Sequence, residues 1–298
     1  MKKRSLAVLM AGVMAASMMT GVVSVYADAD SKTLTVGFDA QYPPFGYKDD
    51  NGEYVGFDLD LAQEVCDNLG WELVKKPINW DSKDMELNSG SIDCIWNGFT
   101  MNGREDDYTF SDPYVDNSQV IVVAADSGIE KLDDLAGKNV VVQAASAALD
   151  ALNSDDNKDL TASFASLTEN PDYNTAFMNL DSGAADAIAV DIGVAKYQLS
   201  QREEGKYVIL DEPIQSEEYG IGFKKGNDEL KDTVWEEVLK LYDAGEVDKL
   251  AEKYEVADML CIGDDEKSDD KKDDAAEDDA SDADTAKEDT ADTAKDAE

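Results

Sequence analysis

The chain has 298 residues, 43% of them hydrophobic, and carries 67 Asp and Glu against 26 Lys and Arg, for a formal net charge of −41. A negative excess on this scale excludes nucleic acid and anionic lipid as partners held by charge. Histidine is absent, which removes Ser-His-Asp and Cys-His catalysis and the usual zinc sites; a carboxylate- or lysine-based enzyme stays open.

The chain begins "MKKRSLAVLMAGVMAASMMTGVVSVYADAD". Lys2, Lys3 and Arg4 form a basic start, Leu6 to Val25 an apolar run, and "VYADA" offers small residues for cleavage. This is a secretory leader pattern, and residues 1–27 are assigned to a signal peptide. A retained membrane anchor is the competing reading, at borderline length. No cysteine follows the apolar run, so lipid attachment is not expected. The mature protein is expected to be exported, soluble, and periplasmic or extracellular.

Strands and helices then alternate. "TLTVGFD" (33–39) reads as a buried strand. In "GFDLDLAQEVCDNLG" (56–70), Phe57, Leu61, Val65 and Leu69 recur at spacing four, with Ala62 and Cys66 beside them, so a helix is predicted that ends at Gly70. "WELVKKPI" is the next strand, "SKDMELNSG" a short helix and "SIDCIWNG" a strand. A second series follows. "SQVIVVAA" and "NVVVQ" are strands, and "ASAALDAL" opens a helix at Ser146. "NPDYNTAFMNLDSG" is a helix, "ADAIAVD" a strand, "IGVAKYQLSQ" a helix and "YVIL" a strand. "EEYGIGFKKGN" reads as one strand, and "DELKDTVWEEVLKLYDAGEVDKLAEKY" as helices with Val234, Val238 and Leu241 on one side. Such alternation implies α/β layers with parallel strands.

From Gly263 onward no Val, Ile, Leu, Met or aromatic residue occurs, and seventeen acids against five lysines give a net charge of −12. This tail (263–298) cannot bury enough apolar surface to offset its ordering entropy, so disorder is expected, with solubility or spacing as its role. The body between the ends, roughly 235 residues, is long enough for two lobes or one large α/β domain. Three cysteines, Cys66, Cys94 and Cys261, are too few for a disulfide framework. Cys66 and Cys94 read as small core residues, with one disulfide open. The acidic stretch "DDNGEYVGFDLD" fails as an EF-hand, because Tyr47 would occupy its first position. Asn51-Gly52 reads instead as a hairpin turn. No metal spacing is present, and no cofactor is called for.

In open α/β sheets, ligands bind beyond the carboxyl ends of strands. That places Asp39, Trp80, Gly98 to Arg104, Ser146 and Asp191 as candidates. Arg104 stands in "GREDDYTFSDPY", and only Arg4 and Arg202 are other arginines. Its planar fork suits a carboxylate, although an arginine among acids also fits a surface salt bridge. Asp191 could receive an ammonium or cap the next helix. Ser146 starts a helix, where free N–H groups favour an anion. Tyr42, Phe45 and Trp80 offer flat apolar walls. Taken together, the set fits a free α-amino acid.

The stretches "VGFDAQYPPFGY", "GEYVGFDLDLAQEV", "GSIDCIWNGFT", "GREDDYTFSDPY", "DAIAVD" and "YGIGFKKGND" occur in the order of one family. Over residues 32–260 the chain resembles the polar amino acid family of bacterial extracellular solute-binding proteins that serve ABC importers. Glutamine-, histidine- and lysine/arginine/ornithine-binding proteins are its relatives. The resemblance implies a two-lobed α/β fold (the type II periplasmic-binding-protein fold) with two hinge strands, near Tyr114–Ser118 and Gln215–Tyr219. Lobe 1 would comprise 32–116 and 218–262, and lobe 2 would comprise 117–217. It implies a monomer that binds a free amino acid between the lobes and hands it to a membrane permease.

By position, the resemblance puts Arg104 on the ligand α-carboxylate, with Thr100 and Ser146 helping. Asp191 would take the α-ammonium with the Gly98 carbonyl and Thr100. Tyr42 and Trp80 would pack on the side chain, and Asp39 would face its polar end. Two departures stand out. The segment Gly98 to Arg104 is one residue shorter than the usual "G-x-T-x-T-x-x-R". "QAASAA" replaces the common "Q-x-G-[ST]-[ST]", which loses one hydroxyl. The alternative reading from another class is an enzyme on the same scaffold, resembling cyclohexadienyl dehydratases that act on prephenate-like acids through a carboxyl general acid.

Overall fold

The computed structural model describes residues 32–263. The signal-peptide assignment and the acidic tail from residue 264 lie outside the described residues.

The first strand, β1 (Thr33–Phe38), buries Leu34, Val36 and Phe38 completely. A small antiparallel sheet follows, made of β2 (Gln41–Tyr42), β3 (Gly46–Lys48) and β4 (Tyr54–Val55). The turn expected at Asn51-Gly52 joins β3 to β4, and Asp49 Oδ1 accepts the N–H groups of Asn51 (2.9 Å) and Glu53 (2.8 Å). Helix α1 (Phe57–Leu69) buries Phe57, Leu61, Ala62, Val65 and Cys66 of the predicted stripe, and its last member, Leu69, is half-buried at the helix end. It stops where predicted: Gly70 takes φ 68° and donates its N–H back to the Asp67 carbonyl, a conformation that costs glycine nothing.

Next come β5 (Glu72–Pro77), a 3₁₀ turn at Trp80–Ser82, α2 (Lys83–Ser89), β6 (Cys94–Ile95) and β7 (Tyr108–Phe110). The long strand β8 (Val115–Ala124) leads into a second series. It comprises β9 (Asn139–Gln143), α3 (Ala147–Asn153), α4 (Lys158–Ser163), β10 (Ser166–Asn170) and α5 (Tyr173–Asp181). Then follow β11 (Ala187–Asp191), α6 (Ile192–Ser200) and β12 (Tyr207–Ile209). The chain returns through β13 (Gln215–Tyr219) and β14 (Gly222–Lys224) to α7 (Asp228–Asp243) and α8 (Glu246–Lys253).

These elements build two sheets, ordered β5-β1-β6-β14-β7 and β10-β9-β11-β8-β12, with β13 also paired to β8. The expectation of parallel strands holds for β1, β5 and β6 and for β9, β10 and β11. It fails for β7, β8, β12, β13 and β14, which pair antiparallel. The reason is connectivity: the chain enters the second sheet along β8 and leaves along β13, running the opposite way. β8 and β13 are hydrogen-bonded from Val115↔Tyr219 to Gln119↔Gln215 and form the two strands that join the lobes.

The single strand expected over "EEYGIGFKKGN" is therefore two. Tyr219 ends β13 in the second sheet and Gly222 begins β14 in the first, with the Gly220 N–H bonded to the Phe99 carbonyl between them (3.0 Å). Two apolar faces explain the uninterrupted "VIVV" of β8. Val120 and Val122 pack into one core, and Ile121 and Val123 into another beside Val140, Val142, Ala187 and Ala189. Val234, Val238 and Leu241 of α7 are buried as expected. Cys66 and Cys94 are buried free thiols, so burial, not bridging, accounts for them; desolvation pushes the Cys66 thiol up to about 12.

Candidate functional site

Seven of the eight candidate residues line one narrow gap: Tyr42, Trp80, Gly98, Thr100, Arg104, Ser146 and Asp191, with Gln143 and Ala147 beside them. Its volume is ≈ 10 Å³, no more than about one water's worth of space. It continues on either side. Toward Trp80 lies a cavity of ≈ 240 Å³ lined by Asp39, Gln41, Asp81 and Asp172. Toward Arg104 lies one of ≈ 600 Å³ lined by Lys83, Asn102, Tyr108 and Asp150. The eighth candidate, Asp39, thus stands in the adjoining chamber, and Trp80 walls both.

Arg104 follows a tight turn in which its own N–H bonds the Met101 carbonyl (2.9 Å). Its guanidinium lies over the Phe99 ring, 5.2 Å from the centroid, with 13% of the side chain exposed. It does not pair with Glu105, Asp106 or Asp107. Nη2 donates instead to Asp150 Oδ2 (2.7 Å), on helix α3 of the other lobe, and Nη1 reaches the Thr100 carbonyl at 3.4 Å. The arginine grips a carboxylate across the cleft, and that carboxylate belongs to the protein. Lys83 Nζ makes a similar bridge to the Ala145 carbonyl (3.1 Å), and Gln143 Nε2 donates to Asp39 Oδ2 (2.7 Å). Burial, and then the Arg104 charge, lower the Lys83 ammonium pKa.

Asp191 ends β11 and stands at the start of α6, but its side chain caps nothing. It turns into a buried polar network. Asp191 Oδ1 accepts from Asn117 Nδ2 (2.9 Å), Gln119 Nε2 (2.6 Å) and the Tyr219 hydroxyl (2.6 Å). Since Tyr219 donates its proton to Asp191, the Tyr42 hydroxyl 3.2 Å away must donate to Tyr219. A second carboxylate shares the network. Glu217, 3% exposed, accepts on Oε1 from Thr100 Oγ1 (3.0 Å), Asn117 Nδ2 (2.7 Å) and Gln119 Nε2 (2.7 Å). Its Oε2 has no hydrogen-bond partner among the described residues. Burial, then the neighbouring Asp191 charge, push the Glu217 carboxyl up to about 7. Strand register causes the encounter: Asn117 lies opposite Glu217, and Gln119 opposite Asp191.

Gly98 is fixed by the fully buried Asp58, which accepts the Gly98 N–H (2.6 Å) and the Tyr114 hydroxyl (2.9 Å). At φ 57°, Gly98 has no room for a side chain: an added Cβ would lie 2.9 Å from Tyr219 and 3.0 Å from Tyr42. Ser146 is the N-cap of α3. Its hydroxyl donates to the Gln143 carbonyl (2.8 Å) and accepts the Leu149 N–H (3.2 Å), so both its functions are engaged at the helix start. Asp39 Oδ1 accepts the Gln41 N–H (2.8 Å), and burial raises its carboxyl pKa.

This geometry can be set beside known proteins. The family description "bacterial extracellular solute-binding proteins, family 3" matches residues 34–257. The chain belongs to that family. The L-cystine-binding protein TcyJ of Escherichia coli is 30% identical over 83% of this chain and 95% of its own. An ABC uptake transporter substrate-binding protein from Streptococcus pneumoniae, solved with bound histidine, superimposes at TM-score 0.72 with 30% identity, over 74% of this chain and 92% of that one. An ancestral arginine-binding protein bound to glutamine gives TM-score 0.68 with 37% identity, over 74% and 97%. Family members are solute-binding proteins, and among the described residues no helix is long and apolar enough to cross a membrane.

Several residues of this family-3 cleft escaped the sequence reading: Glu217, Asn117, Gln119, Tyr219 and Asp150. A signal existed for the first three. Asn117 and Gln119 alternate with period two on the strand that continues into "VIVV", and Glu217 holds the matching position in "QSEEY". A polar residue on the buried face of a strand needs a partner.

Proposed function

We propose that this family-3 protein is the extracytoplasmic binding component of an ABC importer, and that it holds a free polar L-amino acid between a lobe of residues 32–116 with 218–262 and a lobe of residues 117–217. The observation that carries the reading is the pairing, around one narrow gap, of an arginine that already grips a carboxylate with a buried carboxylate that has no cation among the described residues. Arg104 takes the ligand α-carboxylate in place of Asp150. Asp191 takes the α-ammonium with the Gly98 carbonyl and the Thr100 hydroxyl. Tyr42 and Trp80 flank the side chain, and Ser146 fixes the helix start beside them. Asp39, Asp81 and Asp172 surround the chamber beyond Trp80 and favour a side chain rich in N–H donors, as in arginine, lysine or glutamine.

Charge-assisted hydrogen bonds worth about 1.5–3 kcal/mol each, four or five in number, offset an association cost of roughly 4–15 kcal/mol once aromatic burial is added. Micromolar affinity needs about 8 kcal/mol net. Ligand entry requires the lobes to part, and closure follows because the bound amino acid touches both. The protein acts as a monomer, exported by its leader, and delivers its cargo to a membrane permease.

The enzyme alternative is disfavoured by the paired carboxylates, since a prephenate-like acid brings only negative charge to them. A thermal-shift panel of the twenty amino acids, ornithine, cystine and prephenate tests the choice. A ligand at about 100 times its Kd adds roughly 2.7 kcal/mol of stability. The reading expects one clear amino-acid response and no phenylpyruvate from prephenate. A response to prephenate alone, with phenylpyruvate formed, would overturn it.

A further inference from the structure

Asp191 and Glu217 are held by the same two amides. Asn117 Nδ2 lies 2.9 Å from Asp191 Oδ1 and 2.7 Å from Glu217 Oε1, and Gln119 Nε2 lies 2.6 and 2.7 Å from the same two atoms. Hydrogen bonds of this length hold the two oxygens within about 5 Å of each other. Both residues are nearly inaccessible, at 3% exposure each. No ion pair reaches either of them among the described residues. Two carboxylates so placed do not both ionise freely, because each raises the cost of charge on the other.

We propose that Asp191 and Glu217 form a proton-exchanging ammonium seat: the ligand-free pair holds one proton, and entry of an α-ammonium at Asp191 expels that proton to solvent. The inference rests on the amino-acid reading above and extends it to the charge balance of the site. Asp191 lines the gap and touches ligand. Glu217 lies behind Thr100, Asn117 and Gln119 and acts as a positioning residue. The event is a transfer of one proton: the Glu217 O–H bond breaks, the proton passes to buffer, and the ligand cation takes over its neutralising role. No bond to the ligand is made.

The groups facing Glu217 leave it as the one that yields. On β11 it meets Asp191, on α5 Tyr173, and on its own strand Tyr219, with Tyr42 one hydrogen bond further on. Burial holds all three phenols well above their ordinary value, so none exchanges a proton near neutrality. Arg104 approaches through the carbonyl of Thr100, whose hydroxyl donates to Glu217. Glu217 Oε1 already accepts three hydrogen bonds, so the proposal puts the proton on Oε2, which has no partner among the described residues. Burial and the Asp191 charge push the carboxyl up to about 7, so the pair exchanges its proton in the neutral range. Linkage then makes binding about tenfold weaker at pH 6 than at pH 8.

The test is calorimetric titration of the full protein with L-arginine, L-lysine and L-glutamine in phosphate and in Tris, whose ionisation enthalpies differ. Glutamine isolates the ammonium seat, because its uncharged side chain leaves the Asp39 chamber without a new cation. The proposal expects release of up to about one proton per glutamine, growing as the pH falls from 8 to 6. It expects Glu217→Gln to bind with release near zero and a flat affinity from pH 6 to 8. The amide keeps an oxygen for Thr100, Asn117 and Gln119, so geometry alone does not abolish the effect. Wild-type binding without proton release overturns the proposal and leaves the amino-acid reading standing. So does wild-type release in Glu217→Gln. If that variant does not fold, carboxyl ¹³C NMR of glutamate-labelled wild-type protein decides: a buried glutamate titrating near 7 that ionises on ligand addition supports the pair, and none overturns it. Failure of these three to bind, together with no response to any amino acid in the thermal-shift panel, removes the functional reading itself; a different amino acid that responds in that panel takes the place of glutamine in the titration.

Discussion

Replacing Asp58 by Asn is expected to stabilise the protein progressively as the pH rises. Asp58 is fully buried in the first turn of α1 and holds Gly98 in place through its N–H. Burial pushes its carboxyl from an ordinary 3.8 up to about 7, against the pull of the Gly98 and Tyr114 hydrogen bonds. The folded protein therefore keeps a proton on Asp58 that the unfolded chain has lost. Stability from this residue is fully present below the unfolded value of 3.8 and is lost as the pH rises through the folded value. The gap between the two values corresponds to about 4 kcal/mol, of which about 3 kcal/mol is expressed between pH 5 and pH 8.

The amide introduced by Asp58→Asn has no proton to lose and keeps one oxygen for Gly98. The stability of this variant minus that of the wild type should thus grow by about 3 kcal/mol from pH 5 to pH 8, read from urea denaturation at unit steps. Changes in hydrogen-bond strength are the same at each pH and drop out of the comparison, as do the many surface acids common to both proteins. A difference that stays flat across this range would refute the reasoning, because it would mean that Asp58 is ionised in the fold at little cost.

Asp150→Asn should tighten amino-acid binding, since it removes the carboxylate that occupies Arg104. With 68% of the Asp150 side chain exposed, solvent limits the ion pair to about 0.2–1 kcal/mol, or up to about fivefold in affinity; weaker binding in a calorimetric titration would show that Asp150 assists ligand instead of competing with it. Gly98→Ala should lose roughly 1–3 kcal/mol of stability, from the positive φ and the displaced Tyr42 and Tyr219 rings. It should weaken binding as well, and a variant with wild-type melting temperature and affinity would contradict the role given to that turn.

The parts of this molecule that could be read from sequence are those governed by local repetition. The stripe of α1, its glycine stop, the helix start at Ser146 and the turn at Asn51-Gly52 each depend on residues a few positions apart, and each formed. What the sequence concealed depends on pairing between distant segments. The split of β13 from β14 at Gly220-Ile221 follows from which sheet each half joins, and nothing within "EEYGIGFKKGN" marks the boundary. The antiparallel strands arise from a chain that crosses between lobes and returns. At the site, Arg104 stood out by rarity and Asp191 by its place at a strand end. Glu217 looked like one more acid among 67 Asp and Glu; its alternation in "QSEEY" hints at a buried face, and the β8–β13 register sets it opposite Asn117 and so beside Asp191. Asp150 is similar: an exposed helical acid in sequence, and a cross-cleft partner in the fold.

The central claim is that Arg104 clamps the carboxylate of a free amino acid, and calorimetric titration of the wild type and Arg104→Ala with L-arginine, L-lysine and L-glutamine tests it most directly. Two charge-assisted bonds to a ligand carboxylate are worth about 3–6 kcal/mol together. The expected result is micromolar binding of at least one of these amino acids by the wild type, a loss of at least about 100-fold in the variant, and unchanged melting temperature without ligand. Wild-type affinity retained in Arg104→Ala would contradict it.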